Sequence, residues 1–157
     1  MDRLEAVTEP PTAPLFGDVL ARARLSWVLQ MADRVARFGH DDYRRSDAIV
    51  LRHLLRGPAS VGQLGAVMGV TRQAARKVVG GLEERGYATT ARDEFDGRRL
   101  KVVLTPAGAA YGRDVVEVVG ALNRALGRRV DPGRLDAARE VLQEVVALGE
   151  ADRAPAG

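Results

Sequence analysis

The sequence has no cysteine among its 157 residues, and this absence excludes several functions at once. Disulfides, thiolate-bound metals and thiol-based redox sensing all require cysteine. Long hydrophobic runs are also absent, because no apolar stretch approaches the roughly 18–20 residues that a membrane helix needs. The N-terminus, MDRLEAVTEPPTAPLF, is charged and proline-rich, unlike a signal peptide. We therefore expect a cytoplasmic protein.

Histidine is scarce, with only His40 and His53 in the chain. The run HDD at residues 40–42 contains side chains suited to a metal or acid–base site. However, no second histidine cluster, nucleophile–base pair or phosphate-binding loop accompanies it. The sequence therefore predicts no enzymatic activity, no bound metal and no cofactor.

Positive charge is concentrated in the middle of the chain. Residues 60–105 carry eight Lys or Arg and five Asp or Glu, a net charge of +3 that equals the net charge of the whole chain. A localised basic patch is typical of proteins that bind a polyanion, although a solvated charged surface has the same composition.

Apolar residues spaced three or four apart predict a mainly α-helical fold. The outer helices are expected over residues 15–38 and, in two pieces, 106–148. Ser46 is expected to cap another helix that stops at Gly57. The proline-rich residues 1–14 and the tail 149–157 show no such pattern, and we expect both to be disordered.

Residues 46–105 have the pattern of a winged helix-turn-helix. Ser60 and Gln63 match a capping box at the start of a short helix that Gly69 closes. Thr71 then caps a second helix, whose apolar stripe ends near Gly86. Two short strand patterns follow, with the turn signal Asp96-Gly97 between them and with Leu100, Val102 and Leu104 expected on one face. A β-hairpin directly after a helix-turn-helix is a wing.

The second helix of this pair has the side chains of a DNA-recognition helix. Arg72, Gln73, Arg76 and Lys77 lie opposite its apolar stripe, where arginine can pair with guanine and glutamine with adenine. Thr71 and Ser60, at the starts of the two helices, are candidates for phosphate contacts. The alternative is a solvated helix face that happens to be basic.

The wing tip carries Arg98 and Arg99, which suit a narrow A·T-rich minor groove. We expect Asp96 to pair with Arg98 and orient its guanidinium, although Asp96 also suits the turn before Gly97 without any further role.

The segment ASVGQLGAVMGVTRQAARKVVGGLEERGYATTARDEFDGRRLKVVLTPAG resembles the winged-helix core of the MarR family of bacterial transcriptional regulators. The resemblance rests on the helix-turn-helix spacing, on LEERGY, and on DGRR followed by V.LT..G. It covers residues 46–110 and extends to the flanking helices in order and length only. It implies a repressor that binds a pseudo-palindromic operator as a homodimer and is often released by a small-molecule ligand.

Carried over to this chain, the family's DNA contacts fall on seven residues: Thr71, Arg72, Gln73, Arg76, Lys77, Arg98 and Arg99. Two departures stand out. Gly97 replaces an arginine that the family often has in the wing, and Gly80 and Gly81 replace polar residues. Without cysteine, the peroxide-sensing mode of some members is impossible here, and two histidines are a poor ligand set for the zinc-sensing mode.

A homodimer also follows from the hydrophobic pattern, because the first helix and the last two carry wider apolar stripes than one winged helix can cover. The alternative is a monomer whose helices fold back over the core. Six residues are candidates for lining a ligand cleft, although core packing or no role is the simpler explanation for each of them: Trp27, Met31, His40, Tyr43, His53 and Tyr111.

Two further classes of binding protein remain open. A winged helix used only for protein contacts would lack the base-reading side chains seen here. An architectural or weakly specific DNA-binding protein without a ligand would show salt-dependent binding with little preference between sequences.

Overall fold

The structure, a computed structural model, describes residues 13–92, 96, 97 and 99–151. Six helices and two strands are present in these residues. In chain order they are α1 Phe16–Ala36, α2 Asp47–Leu54, α3 Val61–Met68, α4 Arg72–Glu84, β1 Ala88–Arg92, β2 Leu100–Leu104, α5 Pro106–Gly127 and α6 Pro132–Ala151. The chain divides into two compact units at residue 115, so that α5 begins in the first unit and ends in the second.

The core of the first unit is formed by the apolar side of each of its helices and by side chains of one strand. The helices reach it with side chains spaced three or four residues apart, as an amphipathic helix requires. Its members include Met31, Val35, Val50, Leu51, Leu54, Leu64, Ala75, Val79, Leu82, Val102, Tyr111 and Val115. This core fixes α3 and α4 as a helix-turn-helix, with Gly69 in the left-handed conformation between them at φ 66°.

The wing is an antiparallel hairpin whose register pairs Ala88 with Leu104 and Arg92 with Leu100. A bridge joins β2 to the residue before the α3 cap: the Ala59 N–H donates to the Val102 carbonyl at 3.2 Å, and the Val102 N–H donates to the Ala59 carbonyl at 2.8 Å. The wing is therefore attached to the start of α3 as well as to the end of α4.

The start of α5 packs against the chain that leaves α4. The Gly108 N–H donates to Thr105 Oγ1 at 3.0 Å, which caps the helix, and the same hydroxyl donates to the Gly86 carbonyl at 2.6 Å. A Cβ at Gly108 would lie only 1.7 Å from the Tyr87 carbonyl oxygen. Only glycine allows this approach of two backbones.

The second unit comprises the rest of α5 and α6. Val118 and Leu122 of α5 are buried. Asp131 precedes α6, and its Oδ1 accepts from the Gly133 N–H at 2.9 Å, as an N-terminal cap does. Along α6, the large apolar side chains that remain exposed are Val141, Leu142, Val146 and Leu148. None of the helices in the described part of the chain is long and apolar enough to cross a membrane.

The predicted fold class, a mainly α protein with a β-hairpin wing, is confirmed, and three details add to or differ from what the sequence predicts. The first helix ends at Ala36, before the predicted residue 38. Ser46 makes no side-chain cap bond, because its backbone is already helical. Leu100 is 59% exposed, since its end of the hairpin extends past the helices that cover Val102.

The two predicted disordered ends fall mostly on residues 1–12 and 152–157, which lie outside the described residues. Residues 149–151, placed in the tail by the sequence, are the last residues of α6.

Candidate nucleic-acid interface

The first helix of the helix-turn-helix begins with a complete capping box. The Gln63 backbone N–H donates to Ser60 Oγ at 3.2 Å, and the Ser60 backbone N–H donates to Gln63 Oε1 at 2.8 Å. Because α3 starts in this fixed geometry, Ser60 and the remaining amides of its first turn face outward at a defined place.

The second helix, α4, has one buried side and one exposed basic side. Thr71 caps it by accepting the Ala74 N–H at 3.2 Å. Ala75, Val79 and Leu82 are buried. The side chains predicted to read DNA are all exposed: Arg72, Gln73, Arg76 and Lys77. The helix is therefore held by its apolar side and presents its first half to solvent.

A concavity of about 550 Å³ lies where α3, α4 and β2 meet. The bridge between Ala59 and Val102 accounts for it, because it brings the residues next to them, Ser60 and Lys101, to the same place. Its lining residues are Ser60, Val61, Gln63, Arg72, Arg76, Arg99, Leu100 and Lys101. Among these described residues none is acidic, so the concavity is electropositive.

The wing tip is ordered by contacts within the hairpin. Arg99 Nε lies 3.1 Å from Asp96 Oδ2, and the Arg99 backbone N–H donates to the Asp96 carbonyl at 2.8 Å. Arg92 Nη1 donates to the Gly97 carbonyl at 2.9 Å. Arg98 lies outside the described residues, so its contact with a minor groove and its pairing with Asp96 stay predictions.

The predicted DNA-contacting residues fall into two groups. Ser60, Arg72, Arg76 and Arg99 line the concavity together. Thr71, Gln73 and Lys77 are exposed on α4 without lining it.

Two polar lining residues, Gln63 and Lys101, were not predicted as DNA contacts, and neither were the apolar Val61 and Leu100. The signal for Lys101 was its place on the outward side of an alternating strand. Gln63 was assigned to the capping box alone, and no local pattern could show that it also borders the concavity.

Residues 42–99 match the family model of the MarR family of transcriptional regulators. The matched segment spans α2, α3, α4 and β1, so this part of the chain is similar to the MarR family. No match was found among curated proteins.

Solved structures of transcriptional regulators share the fold of this chain. One from Pseudomonas aeruginosa is 24% identical, with a TM-score of 0.67, over 83% of this chain and 96% of its own. PcaV from Streptomyces coelicolor, solved with its natural ligand, is 20% identical, with a TM-score of 0.71, over 94% of this chain and 98% of its own. The repressor CouR, bound to a 23-mer DNA duplex, is 22% identical, with a TM-score of 0.70, over 84% of this chain and 92% of its own. At these identities the likeness is one of fold.

Two of the six ligand-cleft candidates meet in an aromatic cluster. The ring centroids of His40 and Tyr111 are 4.2 Å apart, and that of Tyr87 is 4.6 Å from that of Tyr111. His40 Nε2 is hydrogen-bonded to Asp114 Oδ2 at 2.8 Å. Tyr87 and Asp114 were not among the candidates.

The other four candidates are placed separately. Met31 is buried in the core, as the simpler explanation expected. Trp27, Tyr43 and His53 are partly buried, and among the described residues no ring contact joins any of them to the aromatic cluster.

A buried carboxylate, that of Asp47, lies beside this cluster. Its oxygens accept two bonds from Arg85, Nη1 to Oδ2 at 2.9 Å and Nη2 to Oδ1 at 3.0 Å. The Tyr111 hydroxyl and the Arg44 backbone N–H each donate to Oδ2 at 2.9 Å. Sequence reasoning missed this site. The available signal was that Asp47 stands on the stripe of Val50, Leu51 and Leu54, where an unpaired charge would be costly.

These contacts shift the pKa values of the surrounding groups. Burial raises the pKa of Tyr111 far above 10, and the adjacent Asp47 charge adds to this effect. The hydrogen bond to Asp47 raises the pKa of Arg85, so this guanidinium stays charged. Burial raises the pKa of Tyr87, and the Asp42 carboxylate raises it further. The Tyr87 hydroxyl donates to Asp42 Oδ1 at 3.2 Å.

Proposed function

We propose that this protein is a sequence-specific regulator of transcription that binds double-stranded DNA as a homodimer on a pseudo-palindromic operator and represses the adjacent gene. The observation that carries the proposal is the basic surface of α4 and the concavity beside it. Basic side chains from a helix and a wing converge there, next to two capped helix starts. This arrangement suits a helix in the major groove with phosphate contacts on its flank.

The exposed apolar side chains of the outer helices support the homodimer. In the first unit, α1 exposes Val19, Leu25 and Leu29. In the second unit, α6 exposes Val141 and Val146. Two stripes of this kind are a liability in a monomer, and a second copy of the chain would cover both. Two-fold symmetry would then place the two α4 helices about one DNA turn, roughly 34 Å, apart.

A small-molecule effector is a further part of the proposal, supported by PcaV, which was solved with its natural ligand. In this chain the partly buried rings of His40 and Tyr87 lie next to each other, with centroids 6.3 Å apart, beside the buried ring of Tyr111. A planar, aromatic molecule has the chemistry to stack on such a group. We do not assign an enzymatic activity, in keeping with a family of DNA-binding regulators.

The test is selection of bound DNA from a random pool by the full-length protein. We expect an enriched motif with two-fold symmetry and half-sites about 10 base pairs apart. An architectural protein, the alternative, would retain DNA at low salt without enriching a motif. Failure to retain DNA at any salt concentration would reject both forms of the proposal.

A further inference from the structure

The position of the concavity beside α4 indicates its role in DNA recognition. This step rests on the function proposed above, because it assumes that α4 enters a major groove and that the wing reaches the neighbouring minor groove. One sugar–phosphate strand separates two neighbouring grooves of a duplex. That strand must pass between α4 and the wing, and the concavity is the space between α4 and β2.

We propose that the concavity seats this strand, and that Arg72, Arg76 and Lys101 hold its phosphates. Gln73 and Lys77, which lie outside the concavity on the exposed side of α4, are then the residues that contact bases. The sequence had suggested that Arg72 and Arg76 pair with guanine. Both arginines line the concavity between α4 and β2, and this is the reason for the new assignment.

The chemistry of the lining fits a sugar–phosphate strand. Cationic side chains come from two elements that are far apart in sequence, Arg72 and Arg76 on α4 and Lys101 on β2. Val61 and Leu100 add apolar surface of the kind that packs against deoxyribose. The start of α3 opens onto the same space, and its amides and dipole favour an anion.

Hydrogen bonds join the elements that surround the concavity, as a strand seat requires. The bridge between Ala59 and Val102 holds β2 against the α3 start with two backbone hydrogen bonds. On the other side of the hairpin, Thr90 Oγ1 donates to Glu83 Oε1 of α4 at 2.6 Å. The spacing between wing and recognition helix is therefore set before DNA arrives, so little ordering is needed on binding.

Salt dependence distinguishes a phosphate contact from a base contact. Each phosphate contact steepens the decline of log K with log salt concentration by about 0.9. Because the homodimer carries each substitution twice, we expect Lys101→Gln and Arg76→Gln each to reduce that slope by about 1.8. Each should weaken binding by the same factor on the selected sequence and on a shuffled one. Lys101→Arg, which keeps the charge, should have the wild-type slope.

Gln73→Ala is the matched control, since it changes an uncharged residue on the same helix. It should leave the slope unchanged and weaken binding to the selected sequence alone. The proposal is overturned if Lys101→Gln leaves the slope at the wild-type value, or if the loss with Arg76→Gln is confined to the selected sequence. Equal thermal midpoints for the variants and the wild type establish that the changes act on binding.

If the wild type retains no DNA, the proposed function fails together with this assignment. If the wild type binds DNA and the lysine and arginine variants keep its slope, only the assignment of the strand fails.

Discussion

The carboxylate of Asp47 connects three helices of the first unit through hydrogen bonds. It belongs to α2, while its partners Arg85 and Tyr111 stand at the end of α4 and in α5. Removing one partner from a buried ion pair typically costs about 3–5 kcal/mol, although the intact pair contributes much less to stability. Asp47 and Arg85 therefore fix how the end of the recognition helix sits on α2 and α5.

Tyr111→Phe should lower the free energy of unfolding by about 1.5–3 kcal/mol at pH 7, because it removes a hydrogen bond to a charged group. The folded state raises the tyrosine pKa, so this contribution is complete below pH about 10. The contribution of the hydroxyl to stability declines at higher pH, because the hydroxyl ionises at a lower pH in the unfolded chain than in the folded protein. The difference between wild type and variant should therefore narrow as the pH rises above about 10.

Urea unfolding at pH 7 and at several values above pH 10 measures this difference. Tyr43 and Tyr87 also have raised pKa values, but they are common to both proteins and cancel in the comparison. A difference that stays constant from pH 7 to pH 11 would contradict the role assigned to the Tyr111 hydroxyl.

At the scale of residues, sequence reasoning found the exposed basic side chains and missed the buried charged ones. Arg72 and Arg76 were recognisable because they stand opposite an apolar stripe within one helix. Asp47 and Arg85 are 38 residues apart, and no local pattern predicts that they meet. The one available signal of a buried pair was that Asp47 and Arg85 are each in line with the apolar stripe of their own helix.

The recognition helix α4 contains two adjacent glycines that the structure places in different surroundings. A Cβ at Gly80 would meet no atom within 4 Å. A Cβ at Gly81 would lie 2.8 Å from Arg44 Nη1, the far end of a flexible side chain. Gly80 is thus a position without a packing requirement, whereas Gly81 leaves room for the guanidinium of Arg44.

Gly80→Ala should raise the free energy of unfolding by about 1 kcal/mol, since alanine has the higher helix propensity and the position is open. Gly81→Ala should raise it by less, because Arg44 must move aside. Chemical denaturation measures both, and DNA affinity should be unchanged in Gly80→Ala. A destabilised Gly80→Ala variant would show that this glycine has a role which its surroundings do not reveal.

At the scale of elements, the sequence was sufficient wherever local chemistry decides the structure. The Ser60 capping box, the Thr71 cap and the Asp96-Gly97 turn depend on neighbours within a few residues, and they were predicted. The bridge between Ala59 and Val102 depends on chain segments 43 residues apart, so its effect on the wing could not be read from the sequence. For the same reason the concavity itself was not predicted, although four of its lining residues were predicted as DNA contacts.

The whole molecule, in our proposal, is a homodimer held by its outer helices. Leu25 and Leu29 of α1 are each 60% exposed in the single chain, which is unusual for leucines on one helix. A single chain has a mass of 16.9 kDa. We expect sedimentation equilibrium at micromolar concentration to give about twice that mass.

Leu25→Glu should shift this equilibrium toward the monomer, because it places a charge on the apolar stripe of α1. Val67→Glu is a matched control, since Val67 is also exposed but belongs to α3, which is not one of the outer helices. A wild type that sediments at the mass of one chain would contradict the dimer. Equal effects of the two variants would contradict the assignment of the dimer interface to the outer helices.

At this scale the sequence predicts that a surface for a partner exists, but it does not predict the geometry of that surface. Exposed apolar stripes are visible as a periodicity, but the pairing of two copies depends on shape complementarity over several helices. A small-molecule site is harder still to predict, since His40, Tyr87 and Tyr111 come from three separate parts of the chain.

The capping box of α3 has a consequence for how mutational data on this surface should be interpreted. It uses the Ser60 hydroxyl only as an acceptor, and a hydroxyl also carries one proton to donate. One atom can thus stabilise a helix start with a lone pair and bind an anion with its proton. Alanine at position 60 would remove both the helix cap and the proton donor, so an alanine scan would overstate the part that Ser60 takes in binding. Asparagine and aspartate also cap helices, and comparing them would separate the contribution of the cap from that of the donor.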